Sequence, residues 1–238
     1  MKLSEQDKNT VIERYTGRYR TYGHSPKTLG WDKGKQPLRF SILSDIIEPS
    51  PDRFSLLDIG CGFGDLYTYL CDKYPSRHIA YQGIDLVPVL VEEGKSTPTH
   101  THYQNNSDLQ FICADFLQWK VPHAYDYCFG SGIFNFKLAQ GDNYQYIESI
   151  INKAFACCNV GVAFDFLSDK VDYQYEDTFH SAPEKILAMA YKLSRNVVLR
   201  NDYMPFEFAV QIFKDESFLK EDTIFSRYKR LKSGQTLI

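Results

Sequence analysis

The chain has 238 residues, 43% of them hydrophobic and 24% charged, enough to bury one core. Its 27 Lys and Arg stand against 30 Asp and Glu, a formal net charge of -3, so the overall balance gives no reason to expect a nucleic-acid partner. No stretch nears the roughly 18 apolar residues of a membrane span, and the opening MKLSEQDKNTVIERY lacks an apolar signal core. The expectation is a soluble, cytoplasmic protein with no membrane partner.

Residues 4–22 are predicted to be helical but are polar and rich in Tyr, and the turn-rich GHSPKTLGWDKGK follows at 23–35. Residues 1–36 are therefore expected to form a lid rather than part of the core. Pro37 suits the first turn of a helix whose buried stripe would be Leu38, Ile42, Leu43, Ile46 and Ile47. From there strand-like and helix-like stretches alternate, with strands near 55–59, 79–85, 110–114, 125–130 and 159–166 and helices near 65–73, 88–95, 141–157 and 182–193. Such alternation predicts βαβ units with right-handed crossovers around a mostly parallel sheet. NVVLRNDY (196–203) and FEFAVQIFK (206–214) are then expected to close the sheet as an antiparallel hairpin. The expected domain runs over 37–216, and 217–238, with Arg227, Lys229, Arg230 and Lys232, reads as a solvated tail.

Cys61, Cys71, Cys113, Cys128, Cys157 and Cys158 show no C-x-x-C pair and read as reduced core residues. His100 and His102 have an H-x-H spacing, but no third ligand stands near them in sequence, so no metal site is expected.

The chemistry begins at FSLLDIGCGFGD (54–65), an apolar run closed by Asp58 and followed by Gly60, Gly62 and Gly64. A strand that enters a helix through glycine offers bare backbone and a positive helix end to a ligand. The dinucleotide pattern G-x-G-x-x-G/A needs a small residue at position 65, where Asp65 stands. Asp58 and Asp65 would repel a pyrophosphate and suit a ligand with a positive charge at that place.

The run Asp58-Ile59-Gly60-Cys61-Gly62-Phe63-Gly64 resembles the first motif of the class I S-adenosylmethionine-dependent methyltransferases. Similar matches follow along 54–214. GIDLVP places Asp85, with Leu86, where the resemblance implies a contact to both ribose hydroxyls, and FICADF places Asp115 and Phe116 at the adenine. YDYCFGSGIFNF places Gly130 and Ser131 near the sulfonium and its amino acid end. The resemblance implies a Rossmann-like fold: a doubly wound, mostly parallel seven-stranded sheet with helices on both faces and an antiparallel C-terminal hairpin. It also implies S-adenosylmethionine as methyl donor and S-adenosylhomocysteine as product. The N-terminal TYGHSPKTLGW and the RNDYMPFEF segment resemble a group of stand-alone bacterial methyltransferases.

Acceptor-side candidates are read from the loops at the strands' carboxyl ends. Asn135 follows strand four, but Ile133-Phe134-Asn135-Phe136 departs from the Asn/Asp-Pro-Pro-Tyr/Phe pattern of methyltransferases acting on DNA bases. His24, in the lid, titrates near neutrality and is a candidate general base. Tyr19, Tyr22, Trp31 and Gln36 are candidate lid contacts, and Arg39 is a candidate for the methionine carboxylate. Five acids between 164 and 180, among them Asp165, suit a hydroxyl-rich or cationic molecule or a solvated connection. The expected activity is methyl transfer to O or N of a small-molecule acceptor, a saccharide or another biosynthetic intermediate. A nicotinamide-dependent oxidoreductase and a non-catalytic binder of S-adenosylmethionine are the alternatives.

Overall fold

The computed structural model describes residues 2–31, 35–49, 52–98, 103, 107–219 and 223–233. His100 and His102 lie outside the described residues. Two helices precede the sheet: α1 (Glu5–Tyr22) and α2 (Gln36–Ser44). Then come β1 (Arg53–Ile59), α3 (Asp65–Lys73), β2 (His78–Asp85), α4 (Pro88–Ser96), β3 (Ser107–Cys113) and β4 (Tyr125–Gly130). The second half holds α5 (Asn143–Ala156), β5 (Cys158–Leu167), α6 (Pro183–Tyr191), β6 (Val197–Arg200), β7 (Glu207–Phe213), a 3-10 turn at Ser217–Leu219 and α7 (Ser226–Ser233).

The sheet order is β3-β2-β1-β4-β5-β7-β6. Strands β1 to β5 are mutually parallel, and β7 runs antiparallel between β5 and β6. The central strands are near-continuous apolar runs because both of their faces are covered. On one face, Phe40 and Leu43 of α2 and Leu66, Tyr67 and Leu70 of α3 pack against Leu56, Tyr81 and Phe129. On the other, Ile147, Ile150, Ile151 and Ala154 of α5 and Ile186 and Ala190 of α6 pack against Leu57, Cys128, Val162 and Ile212. The α5 set recurs every three or four residues, the apolar stripe a half-buried helix needs, and Asp142 caps that helix by accepting the Tyr144 and Gln145 amides.

The strand order reverses between β1 and β4, which opens a crevice at their carboxyl ends. Helix α1 lies across it. Ser4 caps α1 through the Asp7 amide, and Gly23, at φ 60°, ends it.

Several expectations are corrected. Leu38 is exposed and Phe40 takes its place in the α2 stripe. Cys113 is exposed and Cys157 half-buried, while the other four cysteines are buried and all six are reduced. The tail is not simply solvated: α7 docks, with the Arg227 guanidinium 4.0 Å above the Phe213 ring and Arg230 paired with Glu48. Among the described residues no helix is long and apolar enough to cross a membrane, and no group of three His, Cys, Asp or Glu could hold a metal.

Candidate functional site

The carboxyl end of β1 turns into α3 through Gly60, Gly62 and Gly64, all at positive φ (75°, 54° and 83°). At Gly60 the need for glycine is also steric, because a Cβ there would stand 2.2 Å from the Ile133 side chain. The turn does not offer the unpaired amides that its composition suggests. The Gly60 and Cys61 amides donate to the Ile84 carbonyl at 2.7 and 3.2 Å, the Gly62 amide donates to Asp85 at 2.9 Å, and the Gly64 amide donates to the Cys61 carbonyl at 2.9 Å. A pyrophosphate would find these four donors already engaged.

Carboxylates stand around the turn instead. Asp58, Asp85 and Asp115 line a cavity at the carboxyl ends of β1, β2 and β3, together with Gly60, Cys61, Gly62, Leu86, Phe116 and Ser131. Burial lifts the Asp58 carboxyl to about 7; the Tyr81 hydroxyl, donating at 2.5 Å, opposes the rise, and the charges of Asp85, Asp65 and Asp165 add to it. Burial also raises Asp85, against hydrogen bonds from the Val87 and Gly62 amides. Burial would lift Asp115 as well, yet hydrogen bonds from Gln118, Lys8 and the Leu117 amide hold it below the usual carboxylate range. The cavity is therefore electronegative and suited to a cationic ligand.

Helix α1 closes this cavity through polar contacts with successive loops. The fully buried Asp7 accepts the Ala139 amide at 2.8 Å, and Lys8 lies 3.2 Å from Asp115. Tyr19 donates to Glu93 of α4 at 2.6 Å. Trp31, just beyond α1, fits against Gly132, where a Cβ would stand 2.5 Å from its ring; Gly132 itself is at φ 71°. Leu3, Val11, Tyr15, Leu29, Trp31 and Gln36 bring the N-terminal segment into the lining.

Five of the residues assigned from the sequence to the cofactor or to catalysis lie outside that lining, as do the further candidates Tyr19, Tyr22 and Asp165. Gly64 caps α3 in the left-handed region. Gly130 is packed so closely that a Cβ would meet Ile133 at 2.7 Å and Phe164 at 2.9 Å. Asn135 is a structural link between loops: its Oδ1 accepts the Leu167 amide and its carbonyl accepts the Phe179 amide. Arg39 does not reach for a ligand carboxylate. It is buried with Glu207, donating from Nε at 2.7 Å and from a second nitrogen, and it stacks 3.9 Å from the Trp31 ring centroid. Asp165, read as part of an acidic stretch, is also buried, where it accepts Ser131 Oγ at 2.5 Å and the Gly132 amide at 2.6 Å and so braces the loop after β4.

His24 is the fifth. Its ring stacks on Phe63 with centroids 4.2 Å apart, with Nδ1 3.3 Å from Glu93 and Nε2 3.6 Å from Asp65. Asp65, which also accepts from Gln36, and Glu93 raise the imidazole pKa against a partial burial that lowers it. A histidine so placed is a latch between the N-terminal segment, α3 and α4, and not a base in the cavity. Its pKa is raised in the folded protein, so its contribution is fully present below the unfolded value of about 6.5 and is lost as pH rises through the folded value. Protection factors of the amides in residues 10–31, which divide out the intrinsic rise of exchange with pH, are expected to fall across that upper window, and His24→Gln to remove that fall. Protection factors unchanged from pH 6 to 9 would show that the latch carries no weight.

Sequence reasoning missed Lys8, Tyr15, Tyr146 and Ile150. Val11, Tyr15 and Tyr19 recur every four residues on α1, and Tyr146 and Ile150 do so on α5; those spacings were the available signals. Lys8 lies on the same face of α1, but its charge gave no signal of a buried role.

The family model described as a methyltransferase domain matches residues 56–153, the span that holds the glycine turn, Asp85 and Asp115. Rv1506c of Mycobacterium tuberculosis, whose name carries a provisional assignment as a methyltransferase, is 28% identical over 168 residues, covering 68% of this chain and 95% of its own. A malonyl-[acyl-carrier protein] O-methyltransferase of Acetivibrio thermocellus is 29% identical over 95 residues, a match spanning 40% of this chain and only 31% of that enzyme. Among solved structures, magnesium protoporphyrin IX methyltransferase from Synechocystis PCC 6803 with bound SAH superposes with a TM-score of 0.63 at 14% identity. That match covers 87% of this chain and 99% of the other, and shows a common fold.

Proposed function

We propose that this chain, a class I S-adenosylmethionine-dependent methyltransferase, moves a methyl group to an O or N nucleophile of a small-molecule acceptor held under α1. One observation carries the reading of the pocket: four amides of the glycine turn are bonded internally while Asp58, Asp85 and Asp115 line the cavity. That arrangement favours a ligand with a sulfonium and an ammonium over a nicotinamide dinucleotide, whose pyrophosphate needs donors.

When bound, S-adenosylmethionine would supply a methyl carbon activated by its sulfonium, the sulfur keeping the bond's electron pair and an acceptor that starts as O–H or N–H giving its proton to solvent. The chain's own residues bind, orient and exclude water. Asp85 accepts the ribose hydroxyls while its amide bonds hold the carboxylate still. Asp115 and Phe116 take the adenine edge and face, and Asp58 with the Gly60–Gly62 backbone faces the cationic end. Ser131 and the loop after β4, fixed by Asp165, border the reacting centre. Helix α1, with Leu29 and Trp31, keeps water out.

Calorimetry tests the reading: both S-adenosylmethionine and S-adenosylhomocysteine are expected to bind, and no heat or thermal shift with either at millimolar concentration would refute it. The affinity is expected to depend on pH. Asp58 holds a proton below about 7 in the empty protein and faces a cation when ionised, so binding of S-adenosylmethionine should strengthen as pH rises through that value and then level off. Asp58→Asn should flatten the profile, and a flat profile in the unsubstituted protein would remove Asp58 from the cofactor's cationic end.

A further inference from the structure

The cavity has two unlike walls. The carboxylates and the glycine turn come from the ends of β1, β2 and β3; a second wall comes from α1, the loop after β4 and α5 and includes Val11, Phe136, Leu138 and Ile150, with Val11 and Tyr15 meeting the first wall at Phe63, Val87 and Leu90. Two hydroxyls stand on this second wall, those of Tyr15 on α1 and Tyr146 on α5. Neither makes a hydrogen bond to another described residue. Both side chains are half-buried where they line the cavity, so each phenol can donate to a bound molecule, a hydrogen bond worth about 0.5–1.5 kcal/mol net. Burial raises both phenols above the ordinary range, with Asp85 adding to the rise for each and Asp115 also for Tyr146. Both therefore stay protonated at neutral pH and act as donors, beside the carboxylates at the cofactor's edge.

On the methyltransferase reading, we propose that the acceptor is a planar aromatic compound seated between α1 and α5, its single polar substituent hydrogen-bonded by the hydroxyls of Tyr15 and Tyr146. Aromatic and branched aliphatic side chains match a flat apolar ring in shape and in hydration, and two donors on one oxygen or nitrogen orient it. A saccharide fits this wall poorly, because each of its many hydroxyls would lose water without gaining a partner. Phe134, against which Tyr146 packs edge-on at 6.4 Å between centroids, fixes the ring that carries one of the two donors.

The experiment uses the full chain saturated with S-adenosylhomocysteine and two probes, 1-naphthol and N-acetylglucosamine, followed by calorimetry. The expected result is that 1-naphthol binds and N-acetylglucosamine at the same concentration does not. Tyr15→Phe and Tyr146→Phe, which keep the ring and its packing, should each weaken 1-naphthol about tenfold, the loss of one hydrogen bond, and leave S-adenosylhomocysteine within about threefold. Binding of the sugar alone, or of neither probe, overturns the proposal. So does naphthol affinity that ignores both substitutions, or a loss that falls on S-adenosylhomocysteine instead, which would give the hydroxyls to the cofactor. Failure of the unsubstituted protein to bind S-adenosylhomocysteine at all is a different outcome: it would remove the methyltransferase reading on which this proposal rests.

Discussion

Asp85→Ala is expected to weaken S-adenosylhomocysteine binding by about 2 to 4 kcal/mol, the loss of a half-buried charged acceptor of two hydroxyl hydrogen bonds. Asp85 does more than face the cavity. Its Oδ2 accepts the Gly62 amide at 2.9 Å and its Oδ1 the Val87 amide at 2.8 Å, so one carboxylate ties the glycine turn to the end of β2. Alanine removes both bonds and leaves the Gly62 amide unpaired, which adds to the loss. Asparagine keeps the size and one acceptor oxygen, so Asp85→Asn should cost less. Calorimetry measures the affinity, and thermal unfolding of the empty proteins separates a loosened turn from a lost ribose contact. If Asp85→Ala binds like the unsubstituted protein, the ribose assignment is wrong.

Arg39→Met is expected to destabilise the fold by about 3 to 5 kcal/mol, the usual cost of leaving one partner of a buried ion pair alone. Arg39 and Glu207 are 5% and 3% exposed, so neither has water to fall back on. Burial already pushes the Glu207 carboxyl above the usual glutamate range, with Arg39 opposing the rise and the Asp165 charge adding to it. Without the guanidinium the rise is larger. A carboxyl whose folded pKa lies above its unfolded value penalises folding once pH exceeds the unfolded value, and the penalty grows until pH passes the folded value. The variant should therefore lose more stability at pH 8 than at pH 5. Arg39→Met combined with Glu207→Met should recover most of the loss. Denaturant melts at the two pH values check this. A variant as stable as the parent that no longer binds S-adenosylhomocysteine would return Arg39 to the ligand carboxylate.

Much of the fold was legible because its signals are local. The alternation of apolar runs and helical stripes from Arg53 to Phe213 depends on spacings of two to four residues, and the structure follows it with shifts of a few residues at the ends. The glycine turn was legible for the same reason: an apolar run, an acid and three glycines describe a strand, its end and a turn without reference to anything distant. Asp58 could be picked out from that run itself, whereas Asp85 and Asp115 were found through the resemblance to the methyltransferase motifs; parallel strands place the three carboxyl ends side by side.

What fails to show in the sequence is which polar side chain meets which. Arg39 and Glu207 are 168 positions apart, Asp7 and Ala139 are 132 apart, and Lys8 and Asp115 meet with three strands between them in the chain. Nothing local distinguishes Arg39 from an arginine that binds a carboxylate ligand, or Lys8 from a solvated one. His24 looked like a base because histidine titrates near neutrality, and became a latch because α3 and α4 bring Asp65 and Glu93 to it. Composition and periodicity by themselves determined the layers, the strands and the acids around the glycine turn, since hydrophobic burial and backbone hydrogen bonding act through near neighbours in the chain. Only the tertiary structure decided the use of each buried polar group, because that depends on the partner that the strand order places within about 3 Å, and a charge without such a partner would not be buried at all.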